Sequence, residues 1–312
     1  MTIKRSDFSA INPLILRRSI GAKIKNAAAK ADVPPADMRK RFIFSIFFKH
    51  LFAEPNDWMV LGGNALVVRT GGGRFTQDVD LSRATPWENS DDLKEELQSL
   101  INAGNGVTPF EFIVTKVVPH SEPDIYGYGA ETASAKVTVE LGNMEFDSFS
   151  IDLTSRRHTQ PQPEMIKVRE PFSHELLENL PEIPVVAIEN HIADKVCALY
   201  EDYGGRTGRS TRYRDLADLV RIAQNLDFKA EKLVKMLPHE AQRRKMKIPL
   251  AMESPHTSWE EEFPNAARKF AQYPAEYTDL AAALNVVGRC LDEILDGRRS
   301  EGRWNAGEQR WT

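Results

Sequence analysis

Apolar positions at helical spacing open the chain. Leu14, Ile15, Ile20 and Ile24, followed by an alanine run, predict a helix over 14–31 that ends near Pro34-Pro35. A second helix is expected from Asp37 through Met38, Phe42, Ile46 and Phe48 to Phe52, with Pro55 as its stop. At Trp58 the period changes. Trp58–Leu61 is a short apolar run closed by Gly62-Gly63, which reads as a buried strand. Asn64–Thr70 then predicts a short helix, Gly71–Gly73 a turn, and Phe75–Leu81 a second strand carrying Asp78 and Asp80. An amphipathic helix over 91–103, capped by Asp91 or Asp92, precedes three strands at 110–118, 134–142 and 146–153. The Pro- and Glu-rich stretch from Arg156 to Pro184 is a connection with one short strand near Met165–Val168. Beyond it the spacing predicts helices at 189–203, 211–225, 229–237, 264–272 and 277–297, and residues 298–312, which lack a period, should fray.

Helices, then strands, then helices imply an α+β protein with a small mixed sheet and a helical C-terminal lobe. The expected divisions are an N-terminal basic helical segment packed on the core (1–57), the core itself (58–183), a helical lobe (184–297) and a flexible tail (298–312). A length of 312 residues with 41% hydrophobic content suits about two domains. Cys197 and Cys290 fit neither a disulfide framework nor a CxxC metal pattern and read as reduced thiols of a cytoplasmic protein. The longest mainly apolar run, Phe42–Phe48, is far short of the roughly 20 residues a membrane helix needs. Lys4, Arg5 and Asp7 have no apolar stretch behind them, which speaks against a signal peptide and leaves no membrane partner to expect.

Charge is unevenly spread. The first 50 residues hold 11 Lys/Arg against 3 Asp/Glu, leaving 30 against 42 for the rest. A basic block on an acidic body fits a polyanion partner, and equally fits two solvated basic helices. A second basic stretch, Lys229–Lys247, holds seven Lys/Arg against two acidic residues, and the loop Tyr203–Arg214 carries Arg206, Arg209, Arg212 and Arg214.

The candidate chemistry lies between Val60 and Leu81. In a strand, Asp78 and Asp80 would share a face, and two carboxylates held that close suit a cation between them. Hard oxygen donors fit Mg²⁺ or Mn²⁺. The Gly62-Gly63 turn lets the backbone approach a triphosphate, with the N–H groups that open the Asn64 helix directed at its oxygens. Asp152, among apolar neighbours in Phe149–Leu153, is a third available carboxylate. Each feature also has a plain reading: a solvated strand end for Asp78 and Asp80, and a turn cap for Asp152.

Taken in order, Gly62-Gly63, Asp78-Val79-Asp80 and the later strand residue Asp152 resemble the polymerase-β-like nucleotidyltransferase superfamily. The chain is more specifically similar to the AbiEii/AbiGii toxin nucleotidyltransferases. Arg74 leads into the Asp pair as an R-x-x-x-D-x-D block does, Ala193–Leu199 resembles the helix bearing the family lysine, and Arg212–Leu219 resembles its R-x-[KR]-D-L-x-D-L helix. The likeness spans about 58–225, with a weaker echo at Trp259 and Phe263.

The resemblance implies a polymerase-β-like nucleotidyltransferase core and a helical lobe. It implies metal at Asp78, Asp80 and Asp152, and nucleotide contacts at Gly62, Gly63, Asn64, Arg74 and Lys195. It also gives catalytic parts to Lys195, Asp215 and Asp218. From the residues alone, Lys195 is equally a surface lysine and the two aspartates a helix first turn. The implied reaction moves a nucleoside monophosphate from an NTP to RNA, by resemblance the 3′ end of tRNA, as a toxin restrained by an antitoxin. Alternatives are an antibiotic-type small-molecule nucleotidyltransferase and a catalytically silent binding protein of the same fold. Departures from the family pattern are Gly63 where serine is common, Asn64 after it, and the Gly71–Gly73 insertion. Thr76, beside the Asp pair, matches a position at which phosphorylation silences some toxins of this group.

Overall fold

The computed structural model describes residues 12–73, 76–120, 131–155, 162–202 and 210–312. Two units emerge, one of Met1–Thr159 with Pro163–Val185 and one of Gln160–Gln162 with Val186–Thr312.

In the first unit, α1 (Pro13–Ala31) starts where the Asn12 side chain accepts from the Leu14 and Ile15 amides, with proline at the first helical position. Only the stripe Leu16, Ile20, Ile24 and Ala28 is buried. α2 (Pro35–Leu51) differs: every residue from Phe42 to Leu51 is buried. A helix apolar on all sides belongs inside a core. β1 (Met59–Val60), α3 (Gly62–Thr70), β2 (Val79–Arg83), α4 (Ser90–Ala103), β3 (Phe110–Pro119), β4 (Thr132–Leu141), β5 (Glu145–Ser155), β6 (Glu164–Lys167) and β7 (Glu182–Val185) follow. The strands form one mixed seven-stranded sheet in the order β3-β4-β5-β2-β1-β7-β6, with β2–β5 and β1–β7 parallel. Rings of α2 meet rings of the sheet at Phe42–Phe110, Phe44–Phe149 and Phe47–Phe112, 5.2–5.8 Å between centroids.

Two departures from the sequence reading concern strands of the first unit. β2 begins at Val79, so Asp78 sits in the bend feeding the strand rather than within it. β7 is unexpected because Pro184 argues against a strand, yet Ile183 and Val185 are fully buried and Val185 pairs with Val60.

The second unit contains α5 (Ile188–Tyr200), α6 (Tyr213–Asn225), β8 (Phe228–Lys229), α7 (Ala230–Arg243), α8 (Trp259–Ala267), α9 (Leu280–Leu295), β9 (Arg303–Asn305) and β10 (Arg310–Trp311). α7 runs through Pro238 instead of stopping there. A proline inside a helix costs about 3 kcal/mol, and here the buried face of Leu233, Leu237 and Ala241 carries on across it. α8 starts at Trp259, earlier than the expected 264, because Glu260–Glu262 suit a first turn and Trp259 stacks on Phe263 in the core.

The C-terminal tail does not fray. β10, β9 and β8 form a three-stranded sheet, and the buried Trp304 donates its indole N–H to the Ala223 carbonyl at 2.8 Å. Anchoring by one buried tryptophan is invisible to periodicity. Cys197 and Cys290 are buried free thiols, and burial raises both pKa values, that of Cys197 to about 12. Among the described residues, no helix is long and apolar enough to cross a membrane.

His50 of α2 is fully buried, its Nε2 2.7 Å from Thr108 Oγ1. Burial lowers its pKa from 6.5 to about 4, because the charged form would lose its water. The folded state therefore keeps its full stability above about pH 6.5 and loses it as pH falls toward 4, as only the unfolded chain takes up the proton. Denaturant unfolding between pH 7 and 4.5 should show a loss of about 2 kcal/mol from this group. His50→Gln should flatten that part of the profile.

Candidate active site

β1 is only two residues long and hands the chain straight into α3. Its end is tied to β2, since the Leu61 N–H donates to the Asp80 carbonyl at 2.9 Å. Gly62 follows with φ +58°, a region open to glycine at little cost. A Cβ on Gly62 would lie 1.9 Å from Asp80 Oδ2. The carboxylate and the turn backbone thus occupy adjoining space that no side chain can share. Two residues on, the Asn64 amide, 3% exposed, donates to the Asp78 carbonyl at 2.6 Å. Asn64 therefore holds the bend that carries Asp78, where the sequence reading gives it a contact to the nucleotide. α3 has no side-chain N-cap.

Asp80 and Asp152 are register partners on the parallel strands β2 and β5 and point to the same side of the sheet. Asp78 and Asp80 are half-buried and Asp152 is exposed. The exposed Asp152 is oriented by a neighbour: Ser134 of β4 donates to its Oδ1 at 2.8 Å. His120 Nε2 stands 2.9 Å from Ser134 Oγ, and with the hydroxyl proton on the carboxylate it is the ring N–H that donates. Sequence reasoning misses Ser134 and His120, because their link to Asp152 runs across strands. Among the described residues, no group of three or more His, Cys, Asp or Glu side chains is gathered so as to hold a metal ion. The donor set at Asp78, Asp80 and Asp152 is nonetheless all carboxylate oxygen, the chemistry that suits a hard divalent cation.

In the second unit, Lys195 of α5 is 4% exposed, which excludes the surface reading. Its Nζ lies 2.9 Å from Asp215 Oδ1 and 2.6 Å from Asp218 Oδ2, both on α6. The i, i+3 spacing puts both carboxylates on one face, and both turn to the lysine. Arg212 Nη1 stands 3.9 Å from Asp215 Oδ2. Two carboxylates on one ammonium leave an excess negative charge that this guanidinium offsets.

The chain matches the family model for the nucleotidyl transferase AbiEii toxin of type IV toxin–antitoxin systems over residues 47–292. It belongs to that family. The protein is accordingly a nucleotidyltransferase, and membership of a type IV toxin family implies an antitoxin partner. Both carboxylate groups of this AbiEii member, Asp78/Asp80/Asp152 and Asp215/Asp218, lie within the matched span. Among solved structures, the nucleotidyltransferase toxin MenT4 of Mycobacterium tuberculosis shares the fold at TM-score 0.53 and 20% identity, with 89% of each chain covered. A putative nucleotidyltransferase from H. pylori aligns at TM-score 0.47 and 15% identity, over 83% of this chain and 96% of that one. No curated protein sequence is significantly similar to the chain.

Arg74, Arg206 and Arg209 lie outside the described residues. Thr76 is half-buried and lines a small cavity with Arg41, Ser45 and Arg169. Arg243 and Arg244 of the second basic stretch are largely buried. They are bound in ion pairs with Glu240, Asp194 and Glu201, with Arg244 2.7 Å from both Glu240 and Asp194. The carboxylates that claim them are remote in sequence or a helical turn away.

Gly62→Ala tests the close approach directly. The added methyl should displace the Asp80 carboxylate and lower the nucleotidyl-transfer rate by about a hundredfold or more, a loss typical of misplaced catalytic groups. Far-UV circular dichroism should stay unchanged.

Proposed function

We propose that this family member moves a nucleoside monophosphate from an NTP to RNA, with the 3′ end of tRNA as acceptor, using Mg²⁺ or Mn²⁺. The reading rests most heavily on the register pairing of Asp80 with Asp152 beside a turn whose glycine lacks the Cβ that would overlap the Asp80 carboxylate. Asp78 and Asp80 are the residues that would hold the metal, joined by Asp152. Bound there, a divalent cation neutralises phosphate charge and favours the alkoxide form of the attacking hydroxyl. The amides that open α3 at Gly62 and Gly63 suit the triphosphate oxygens, because a helix N-terminus without a side-chain cap attracts anions.

In the reaction the acceptor hydroxyl oxygen bonds to the α-phosphorus, the bond to the bridging oxygen breaks, and pyrophosphate leaves. The hydroxyl proton passes to Asp152, whose other demand, the Ser134 hydroxyl, fixes its orientation. In the second unit, Asp215 and Asp218 hold the Lys195 ammonium in one orientation, and these three residues are the catalytic part assigned to that unit. An RNA acceptor and an NTP donor put the enzyme in the cytoplasm, where its antitoxin would meet it.

Incubation with total tRNA, Mg²⁺ and each labelled NTP decides the acceptor. Wild type should label RNA with at least one nucleotide, and chelation of the metal should abolish it. Absence of label with every NTP overturns the RNA reading, and label persisting in Asp80→Ala overturns the metal assignment. Thr76 offers a second test, since negative charge beside the Asp pair would repel triphosphate. Thr76→Glu should abolish transfer while Thr76→Val retains it; equal rates in the two variants would remove Thr76 as a control point.

A further inference from the structure

The first unit carries an open groove of about 760 Å³ walled by α1, α2, β4 and β5, with Asp78 on its lining. Four cationic side chains face it, Lys25 of α1, Arg39 and Lys40 of α2, and Lys136 of β4. Lys40 is already committed, its Nζ 2.5 Å from Asp147 and bonded to the Ser148 carbonyl, so that pair contributes no net charge. Lys25 and Lys136 are exposed, and Arg39 lies half-buried with its guanidinium 5.2 Å over the Phe146 ring. Among the described residues none of these three enters an ion pair with the chain's own carboxylates.

Gly21 adds an independent observation. It sits inside α1, where glycine costs about 1 kcal/mol relative to alanine. A Cβ there would meet nothing within 4 Å, so packing within this chain does not require the glycine. Gly21 lines the groove, and its bareness leaves the α1 backbone open to whatever the groove holds.

We infer that the groove holds the sugar-phosphate backbone of the RNA acceptor, with Lys25, Arg39 and Lys136 on its phosphates and the strand passing Asp78. The inference rests on the RNA reading proposed above. Cations drawn from α1, α2 and β4 around an open trough suit an extended polyanion, whereas a small anion would be enclosed. The exposed lining includes Lys25, Gln77, Lys136 and Ser150, and lacks the aromatic anchors of a protein interface.

Fluorescence anisotropy of labelled total tRNA with the full chain, without NTP and across 50–200 mM KCl, tests it. The double variant Lys25→Glu/Lys136→Glu should bind about tenfold more weakly or worse, with the salt slope reduced by about 1.5 to 2. Gly21→Glu should also weaken binding, while Gly21→Lys should equal or exceed wild type. Both Gly21 variants add a side chain to open space on a helix, so they remain informative if the double variant folds poorly. Wild type that neither binds nor labels tRNA overturns the RNA reading itself. Wild type that labels tRNA, with variants of unchanged affinity and salt slope, overturns the groove alone, even where those variants lose an acidic protein partner instead.

Discussion

The contact between the Gly62 backbone and the Asp80 carboxylate is the constraint around which the first unit is arranged. β1 contributes only two residues to the sheet, so it cannot by itself hold α3 in register with β2. Three local features do so together: the Leu61 N–H on the Asp80 carbonyl, the Asn64 amide on the Asp78 carbonyl, and the left-handed φ at Gly62 that lets the chain turn against a carboxylate. Parallel pairing of β2 with β5 then brings Asp152 alongside without any further device. One glycine and one buried amide thus couple a helix N-terminus to an acidic strand edge. The α3 N-terminus and the Asp78 and Asp80 segment are held next to each other by hydrogen bonds to the backbone, whose geometry tolerates little drift.

The second unit solves a different electrostatic problem. Buried charges are costly unless they are paired, and an uncompensated buried carboxylate costs several kcal/mol. Lys195 answers Asp215 and Asp218 together, and Arg212 answers the remaining charge from the exposed side. The ion pairs of Arg243 and Arg244 with Glu240, Asp194 and Glu201 follow the same logic between α5 and α7. Basic residues that look like a solvent-facing stretch in sequence are therefore structural here. On α1, which buries only one narrow stripe, Lys25 stays exposed.

Where the sequence misleads, the cause is a local signal outweighed by distant contacts. Pro238 and Pro184 are strong breakers, yet a continuing apolar face carries α7 past the first and pairing with β1 recruits the second into a strand. The tail lacks any period because Trp304 anchors it through burial against α6 rather than through an amphipathic face. The basic block at the start of the chain includes α2, a helix its spacing predicts, yet the ring-rich second half of that helix is core on every side.

The chain's own pattern was enough to determine the α+β class and most elements, and it names the residues of the candidate site. Gly62-Gly63, Asp78-Val79-Asp80, Lys195 and Asp215/Asp218 stand at spacings set by local conformation, and local conformation is written in neighbouring residues. Tertiary structure alone decided which of these meet. Asp152 joins Asp80 through the register of strands that are neighbours in the sheet but far apart in the chain, Ser134 and His120 reach Asp152 across the sheet, and Lys195 takes both aspartates because α5 packs on α6. Side chains far apart in sequence become neighbours only through strand register and helix packing, and no spacing along the chain encodes either.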